Sequence, residues 1–377
     1  MADEQVITSD IIIVGAGPAG LSTALHLIQQ DPTWVQRIIV LEKASHPRPK
    51  LCGGGLTRFG LRILHNLGFT LPLPLPQAEV DEVIFRYRSR EFHVRGKPQF
   101  IVFDRTTLDD YLAKEAKYRG LQIHENEVVH KLEVKADGVA IQTSKTKYQA
   151  QVIIGADGSK GITRRLIKKN DGTNNVARVL ESFISATEDD PFFKSRQALF
   201  DFSFTGKDLQ GYTWDFPSWV AGKPISNRGI YDSRAFDAGA RAPLPALLDE
   251  FLGEEKTHHP YEGHPIHWFD PRNIFGAERI ILVGDAAGAD PLFGEGIGPA
   301  LGYGTIAAKV IQDAFTINQF SFKNYRHRVF LSPVGHYLLL RWMGAKIVYR
   351  FSTHRPVMNF LWYVGKIVST IWKSGKI

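Results

Sequence analysis

Residues 9–20 read SDIIIVGAGPAG, and the order of their parts decides the fold. Ser9 to Val14 reads as a short buried strand, with Ile11–Val14 β-branched and apolar throughout. Gly15-Ala16-Gly17-Pro18-Ala19-Gly20 follows, and Leu21, Ala24, Leu25 and Ile28 then recur at helical spacing. Strand, G-x-G-x-x-G and helix form a dinucleotide fingerprint. The first glycine makes the tight turn, the second lets a pyrophosphate reach the backbone, and the third lets helix and strand pack, with the phosphates at the positive helix N-terminus. The next strand, Arg37 to Leu41, ends in Glu42, about twenty residues past the last glycine, where a carboxylate accepts adenosine ribose hydroxyls.

Composition narrows the rest. At 377 residues, 44% apolar and 23% charged, the chain is long enough for one large core or two interleaved domains, and disorder is not expected. Cys52 is the single cysteine, which excludes an internal disulfide and an all-cysteine iron–sulfur cluster and suits a reducing compartment. The acidic start and the four-residue run Ile11–Val14 lack the parts of a signal peptide, so a cytoplasmic location is expected. The net charge of +7 is unevenly placed. Ten of the 46 basic residues lie beyond Asp313, where no acid occurs, so the first 313 residues carry 36 bases against 39 acids.

Two further strands end in an acid–glycine pattern: Gln151–Gly155 before Asp157-Gly158, and Arg279–Val283 before Gly284-Asp285. With Gly294-Glu295-Gly296-Ile297 opening another helix, they resemble the FAD-binding fold of the aromatic-hydroxylase type. That resemblance implies FAD as cofactor, with Asp285 on the ribityl chain and the backbone at Gly296 and Ile297 facing the flavin pyrimidine ring. A helix N-terminus there stabilises negative charge on a reduced flavin. It also implies Arg105 beside the cofactor, the alternative for Arg105 being a surface ion pair with Asp109 one turn on. Lys43, Lys50 and Val128 complete the implied cofactor neighbours.

Three motifs separate subfamilies: CGGGL at 52–56, GYTWDFP at 211–217 and PLFGEGI at 291–297. Together they resemble the geranylgeranyl reductase family, flavoenzymes that saturate isolated double bonds of isoprenoid chains. The resemblance implies that Cys52, Gly53 and Gly54 line the flavin face, and that Tyr212, Trp214 and Phe216 wall a channel for a prenyl lipid. An isolated alkene is not polarised, so hydride addition requires a proton at the neighbouring carbon, and Cys52 and Tyr212 are the two candidate donors. Alternatives for these residues are a space-filling thiol and an aromatic wall. Alternatives for the chain are an FAD monooxygenase or epoxidase, and a membrane-surface flavin-binding or electron-relay protein. After Pro217 the sequence departs from the family pattern. No second dinucleotide fingerprint marks the electron donor, NADPH or a ferredoxin.

The expected architecture is α/β: a Rossmann-like FAD domain in three pieces (1–75, 100–175, 272–330), an inserted, mostly antiparallel substrate sheet (76–99, 178–271), and a basic, aromatic-rich helical tail (331–377). Asp137-Gly138 reads as a hairpin turn. Leu71–Pro76, LPLPLP, reads as a stiff connector. His258-His259 and His264/His267 lack metal-site spacing, so no metal is expected. The longest uncharged run of the tail, Pro356–Gly365, is too short to span a bilayer. Its cations and aromatics suit a helix lying on an anionic leaflet, the alternative being a packed helix that closes the channel or a dimer contact, with nucleic-acid binding a weaker third.

Overall fold

The computed structural model describes residues 6–167, 175–236, 240–254 and 261–373. The sequence readings at Met1–Glu4, His258-His259 and Lys376 lie outside them. Sixteen strands are described: β1 (Val6–Val14), β2 (Ile38–Glu42), β3 (Gly55–Thr57), β4 (Gln77–Tyr87), β5 (Arg90–Phe103), β6 (Gln122–Glu125), β7 (Val129–Val134) and β8 (Val139–Thr143) in the first part of the chain. The remainder holds β9 (Lys147–Gly155), β10 (Val176–Ser185), β11 (Gln197–Asp201), β12 (Gly211–Val220), β13 (Lys223–Asp232), β14 (Glu262–His267), β15 (Gly276–Ala277) and β16 (Ile280–Leu282).

One sheet runs β15-β16-β9-β1-β2-β6, with β8 also pairing with β9 and β7 with β8. Its β16, β9, β1, β2 and β6 are parallel. Ile11, Ile12, Ile13 and Ile153 are fully buried, as expected of parallel strands covered on both faces. Register is the feature that builds the site. Val14 lies opposite Leu41 on one side and Gly155 on the other, and Gly155 lies opposite Leu282. The carboxyl ends of four strands are therefore level, so Gly15, Glu42, Asp157 and Asp285, each just beyond or at such an end, converge at one edge, where ligands of open α/β sheets bind. The Pro18–Gln30 and Ile297–Thr316 helices pack against each other over this sheet.

The second sheet runs β14-β10-β13-β12-β11-β4-β5-β3 and is antiparallel except at β11–β4. Period-two alternation on β12 puts Tyr212, Trp214 and Phe216 on one face, all buried. The segments read as strands from Val179 and from Ala198 fall in β10 and β11, and Asp137-Gly138 joins β7 to β8. Strand β3 leaves the dinucleotide region of the chain to join this second sheet, and β5 runs on to Phe103, past the expected boundary at 99.

The tail forms two helices, Pro333–Arg350 and Arg355–Lys373. Leu338, Ala345, Tyr349 and Met358 are buried, and the Tyr349 hydroxyl donates to the Leu292 carbonyl at 2.7 Å. The packed-helix alternative thus describes the inner face of the tail. Among the described residues no helix is long and apolar enough to cross a membrane.

Candidate active site

A single cavity of about 1100 Å³ runs from the level strand ends of the first sheet to the aromatic face of the second. At one end it is lined by Gly15, Gly17, Pro18, Ala19, Glu42, Lys43, Asp157, Gly158 and Asp285, and Val128 borders it. Gly15 has φ +111°, and a Cβ there would lie 2.4 Å from the Ala156 carbonyl oxygen. Gly20 does not face the cavity. A Cβ on it would lie 2.1 Å from the Gly15 carbonyl oxygen, so its bareness serves helix–strand packing. Ala16 contributes its N–H, which donates to Glu42 Oε2 at 3.0 Å, while Glu42 Oε1 accepts from Ala44 N–H at 3.1 Å. Asp157 is engaged with the Thr163 N–H and hydroxyl at 2.9 and 2.6 Å. Asp285 is freer: among the described residues its side chain meets only the Ser159 hydroxyl, at 3.5 Å.

These residues fit a dinucleotide. The helices beginning at Pro18 and Ile297 both open into the cavity with no side chain capping their first N–H groups. A Cβ at Gly17 would meet nothing nearer than Arg48 Nη2 at 3.6 Å, and one at Gly158 nothing within 4 Å, so the space beside both turns is open.

The middle of the cavity is the loop Lys50–Gly55. Gly54 has φ +75°, its carbonyl accepts from Phe103 N–H at 3.0 Å, and a Cβ would lie 2.1 Å from the Phe103 carbonyl oxygen. A Cβ on Gly53 would touch the Phe216 ring at 3.4 Å and Trp214 Nε1 at 3.6 Å. Cys52 is partly exposed to the cavity, and its Sγ accepts from Gly54 N–H at 3.4 Å. Arg105 pairs with Asp109 in a fork at 2.8 and 2.9 Å, but the pair is buried and the guanidinium lines the cavity. Arg105 thus pairs with Asp109 and also borders the cavity, and the pair is internal instead of on the surface. Burial works against its charge, and Asp109 and then Cys52 outweigh it, so Arg105 is held above its ordinary range.

At the far end Phe200, Tyr212, Trp214 and Phe216 enclose the space, joined by Phe293 and by Trp362 from the tail. Ring centroids of Phe200 lie 5.1 Å from Tyr212 and 5.0 Å from Phe216. The Tyr212 hydroxyl donates to the Phe293 carbonyl, and burial drives its ionisation far above the ordinary range. A phenol already committed to a carbonyl is the less available proton donor.

Gly294, Glu295, Gly296 and Ile297 also border the cavity. Glu295 accepts from the Thr57 hydroxyl at 2.8 Å and from the Tyr337 hydroxyl, and Arg341 Nη2 donates to that Tyr337 oxygen at 3.2 Å. Arg341 Nε stands 3.8 Å from Asp290 Oδ2, and the guanidinium Cζ lies over the Phe293 ring, 4.7 Å from its centre. Burial raises both Asp290 and Glu295 above the ordinary carboxylate range, against the pull of Arg341. Sequence reading counted Arg341, Tyr337 and Trp362 in the basic, aromatic tail and gave none of them a place in the site, although its packed-helix alternative set that tail against the channel. It also missed Glu181, a buried acid in the cavity wall. His264, at 3.0 Å from Lys50 Nζ, and His267, whose Nδ1 meets the Asp285 carbonyl at 3.0 Å, are packed histidines. Among the described residues no cluster of His, Cys, Asp and Glu could hold a metal ion.

A dinucleotide cradle joined to an enclosed apolar chamber defines an FAD-dependent oxidoreductase. The chain belongs to the FAD-binding-domain family, whose model matches residues 8–197. It is 26% identical over 337 residues to digeranylgeranylglycerophospholipid reductase 3 of Methanosphaera stadtmanae, covering 83% of this chain and 79% of that one. It is 27% identical over 335 residues to menaquinone reductase of Mycolicibacterium smegmatis, covering 80% and 76%. The crystal structure of a geranylgeranyl bacteriochlorophyll reductase-like protein from Thermoplasma acidophilum superposes with a TM-score of 0.77 at 20% identity, covering 94% of this chain and 91% of that one. These likenesses bear out the resemblance to the geranylgeranyl reductase family carried by the three motifs.

Proposed function

We propose that the protein saturates isolated double bonds of a prenyl chain carried by a lipid. The observation that carries this reading is the continuity of the cavity: a long aromatic chamber with an apolar lining opens onto the Cys52–Gly54 loop and the dinucleotide cradle. An extended hydrocarbon fits such a chamber, and the relatives that act on geranylgeranyl lipids and menaquinone support the same substrate class.

FAD, when bound and reduced, supplies the hydride. The chain's own residues do the rest. Gly15, Gly17 and the Pro18 helix terminus bind the pyrophosphate, Glu42 the adenosine ribose and Asp285 the ribityl chain. The uncapped N-terminus at Ile297 stabilises negative charge. Phe200, Trp214 and Phe216 hold the alkene and exclude water, and the Cys52 thiol supplies the proton. NADPH or a ferredoxin is the source of electrons.

The reading includes a membrane surface as the source of substrate. In the Arg355–Lys373 helix, Met358, Leu361, Trp362 and Gly365 line the cavity, while Phe360, Tyr363, Val364 and Ile367 are exposed on another face. A helix apolar on two faces needs cover on both, and the surrounding cations favour an anionic leaflet. The test is anaerobic incubation of the dithionite-reduced protein with geranylgeranyl lipids of different head groups, read by mass. A gain of two hydrogens per double bond is expected; an unreduced lipid with fully reduced flavin refutes the reading, and oxygen-dependent insertion of an oxygen atom establishes the monooxygenase instead.

A further inference from the structure

Glu181 is a buried acid for which the chemistry above has no task. On β10 it lies opposite Gly229 of β13 on one side and Glu262 of β14 on the other, and Gly229 lies opposite Trp214 of β12. The row leads from the aromatic wall to the edge of the sheet. A Cβ at 229 would come within 2.3 Å of the Trp214 ring, so the bare glycine lets the indole lie across toward β10. Glu181 is 1% exposed, it lines the cavity, and among the described residues neither carboxyl oxygen has a hydrogen-bond partner.

Its surroundings are specific. Asn227 donates to the Cys52 carbonyl at 3.4 Å and accepts from the Trp214 indole at 2.9 Å, so one amide ties the thiol loop to the wall. The Cys52 N–H, the Asn227 amide, Glu262 and Lys50 bias the charge of the Glu181 carboxyl without a closed hydrogen bond to it. Burial pushes it up to about 7, against the pull of the Cys52 N–H and Asn227 and with Glu262 adding to the rise. Toward β14, Lys50 Nζ and His264 Nε2 stand 3.0 Å apart and line the same cavity. Burial, with Lys50, Lys160, Lys43 and Arg105 adding to it, lowers His264 to about 4, and burial lowers Lys50 as well.

We propose that Glu181 is a proton relay: it reprotonates Cys52 after each reduction and is itself recharged from water through Lys50 and His264. This rests on the reductase reading. In each cycle the alkene gains a hydride from the reduced cofactor at one carbon and the Cys52 proton at the other, so an S–H bond breaks and a C–H bond forms. The Glu181 O–H then breaks and the S–H reforms, and a proton from water passes by way of Lys50 and His264 to the carboxylate. No electrons move in the relay.

Two measurements on the FAD-loaded protein test it, with Glu181→Gln and Glu181→Asp as variants. Cys52 is the only thiol in the chain, so alkylation by iodoacetamide, followed by mass, reads that site alone. The wild type is expected to show an inflection near pH 7 in its rate profile, where Glu181 ionises. Glu181→Gln loses it and reacts faster at pH 8, by about tenfold for a displacement of one pH unit. Glu181→Asp retains an inflection at a shifted pH. Superimposable profiles, two flat ones included, overturn the relay. In turnover with a geranylgeranyl lipid, Glu181→Gln keeps the first-turnover rate and slows later ones; equal slowing of both overturns it. A wild type that adds no hydrogen to the lipid overturns the reductase reading, whereas an active wild type matched in every turnover by Glu181→Gln overturns the relay alone.

Discussion

Replacing Arg341 by Met tests whether the tail belongs to the site. Among the described residues Arg341 is the cation paired with Asp290, whose carboxyl is fully buried and whose Oδ2 has no hydrogen-bond partner there, only the guanidinium Nε at 3.8 Å. Oδ1 is satisfied by the Leu292 and Phe293 N–H groups at 2.7 and 3.3 Å. Removing one member of a buried pair costs roughly 3–5 kcal/mol, because the partner charge is left uncompensated. The Arg341 side chain is 31% exposed toward the cavity, so partial hydration puts the expected loss at the lower end, about 3 kcal/mol at pH 8. Asp290 is already raised by burial, and in the variant it rises further. A carboxyl raised on folding destabilises the native state increasingly as pH climbs from its unfolded to its folded value, so acid relieves the loss by up to about 1.4 kcal/mol per pH unit. The assay is urea unfolding of both proteins at saturating FAD at pH 6 and pH 8. Arg341→Met combined with Asp290→Asn should recover most of the loss. A single variant within about 0.5 kcal/mol of wild type at pH 8, the range of an ordinary surface substitution, refutes the reasoning.

Gly54→Val should abolish FAD retention on gel filtration, since its Cβ would collide with the Phe103 carbonyl and its φ of +75° is hostile to a β-branched residue; Cys52→Ala should keep the flavin and lose reduction. Glu181→Gln should stabilise the protein by about 3 kcal/mol in urea unfolding at pH 8, because a carboxyl raised to about 7 from an ordinary 4.5 carries a folding penalty that is absent below 4.5 and complete above 7; an equal gain at pH 4 and pH 8 would show that the charge is not the cause. Flotation with anionic vesicles should weaken as salt shortens the Debye length from about 10 Å at 0.1 M to about 3 Å at 1 M. The residue of binding at high salt should disappear in a Phe360→Glu, Ile367→Glu protein that still holds FAD.

The dinucleotide end was legible in the sequence because its signals are local. A strand, a glycine turn and a helix lie within Val6–Gln30, and each acid–glycine turn directly follows its strand. What brings Gly15, Glu42, Asp157 and Asp285 together is sheet register, and that too is foreshadowed, since each marks the end of a buried run. The chamber was legible in part: alternation on β12 announces one face, but nothing local says that β3 will join the second sheet or that Trp362 will meet Phe92 at 4.9 Å. Arg341 was hidden for a sharper reason. Charge counting treats a basic tail as solvated, and only the distant partners Asp290 and Glu295 make this arginine an internal one. Glu181 sits in an alternating strand where an acid ordinarily faces water, and its burial is set by β13 and β14 on either side.

The division of the cavity between early and late parts of the chain has a consequence for synthesis. Once the Ile297–Thr316 helix has left the ribosome, every part of the dinucleotide cradle exists, whereas Arg341, Met358 and Trp362 are still to emerge. A nascent chain at that stage presents an open apolar trough, and Asp290 and Glu295 without their cation. Cofactor can load then, but the trough is a target for chaperones until the Arg355–Lys373 helix is laid over it. Premature termination in the tail should therefore yield a yellow, sticky protein bound to holdases, not a colourless one.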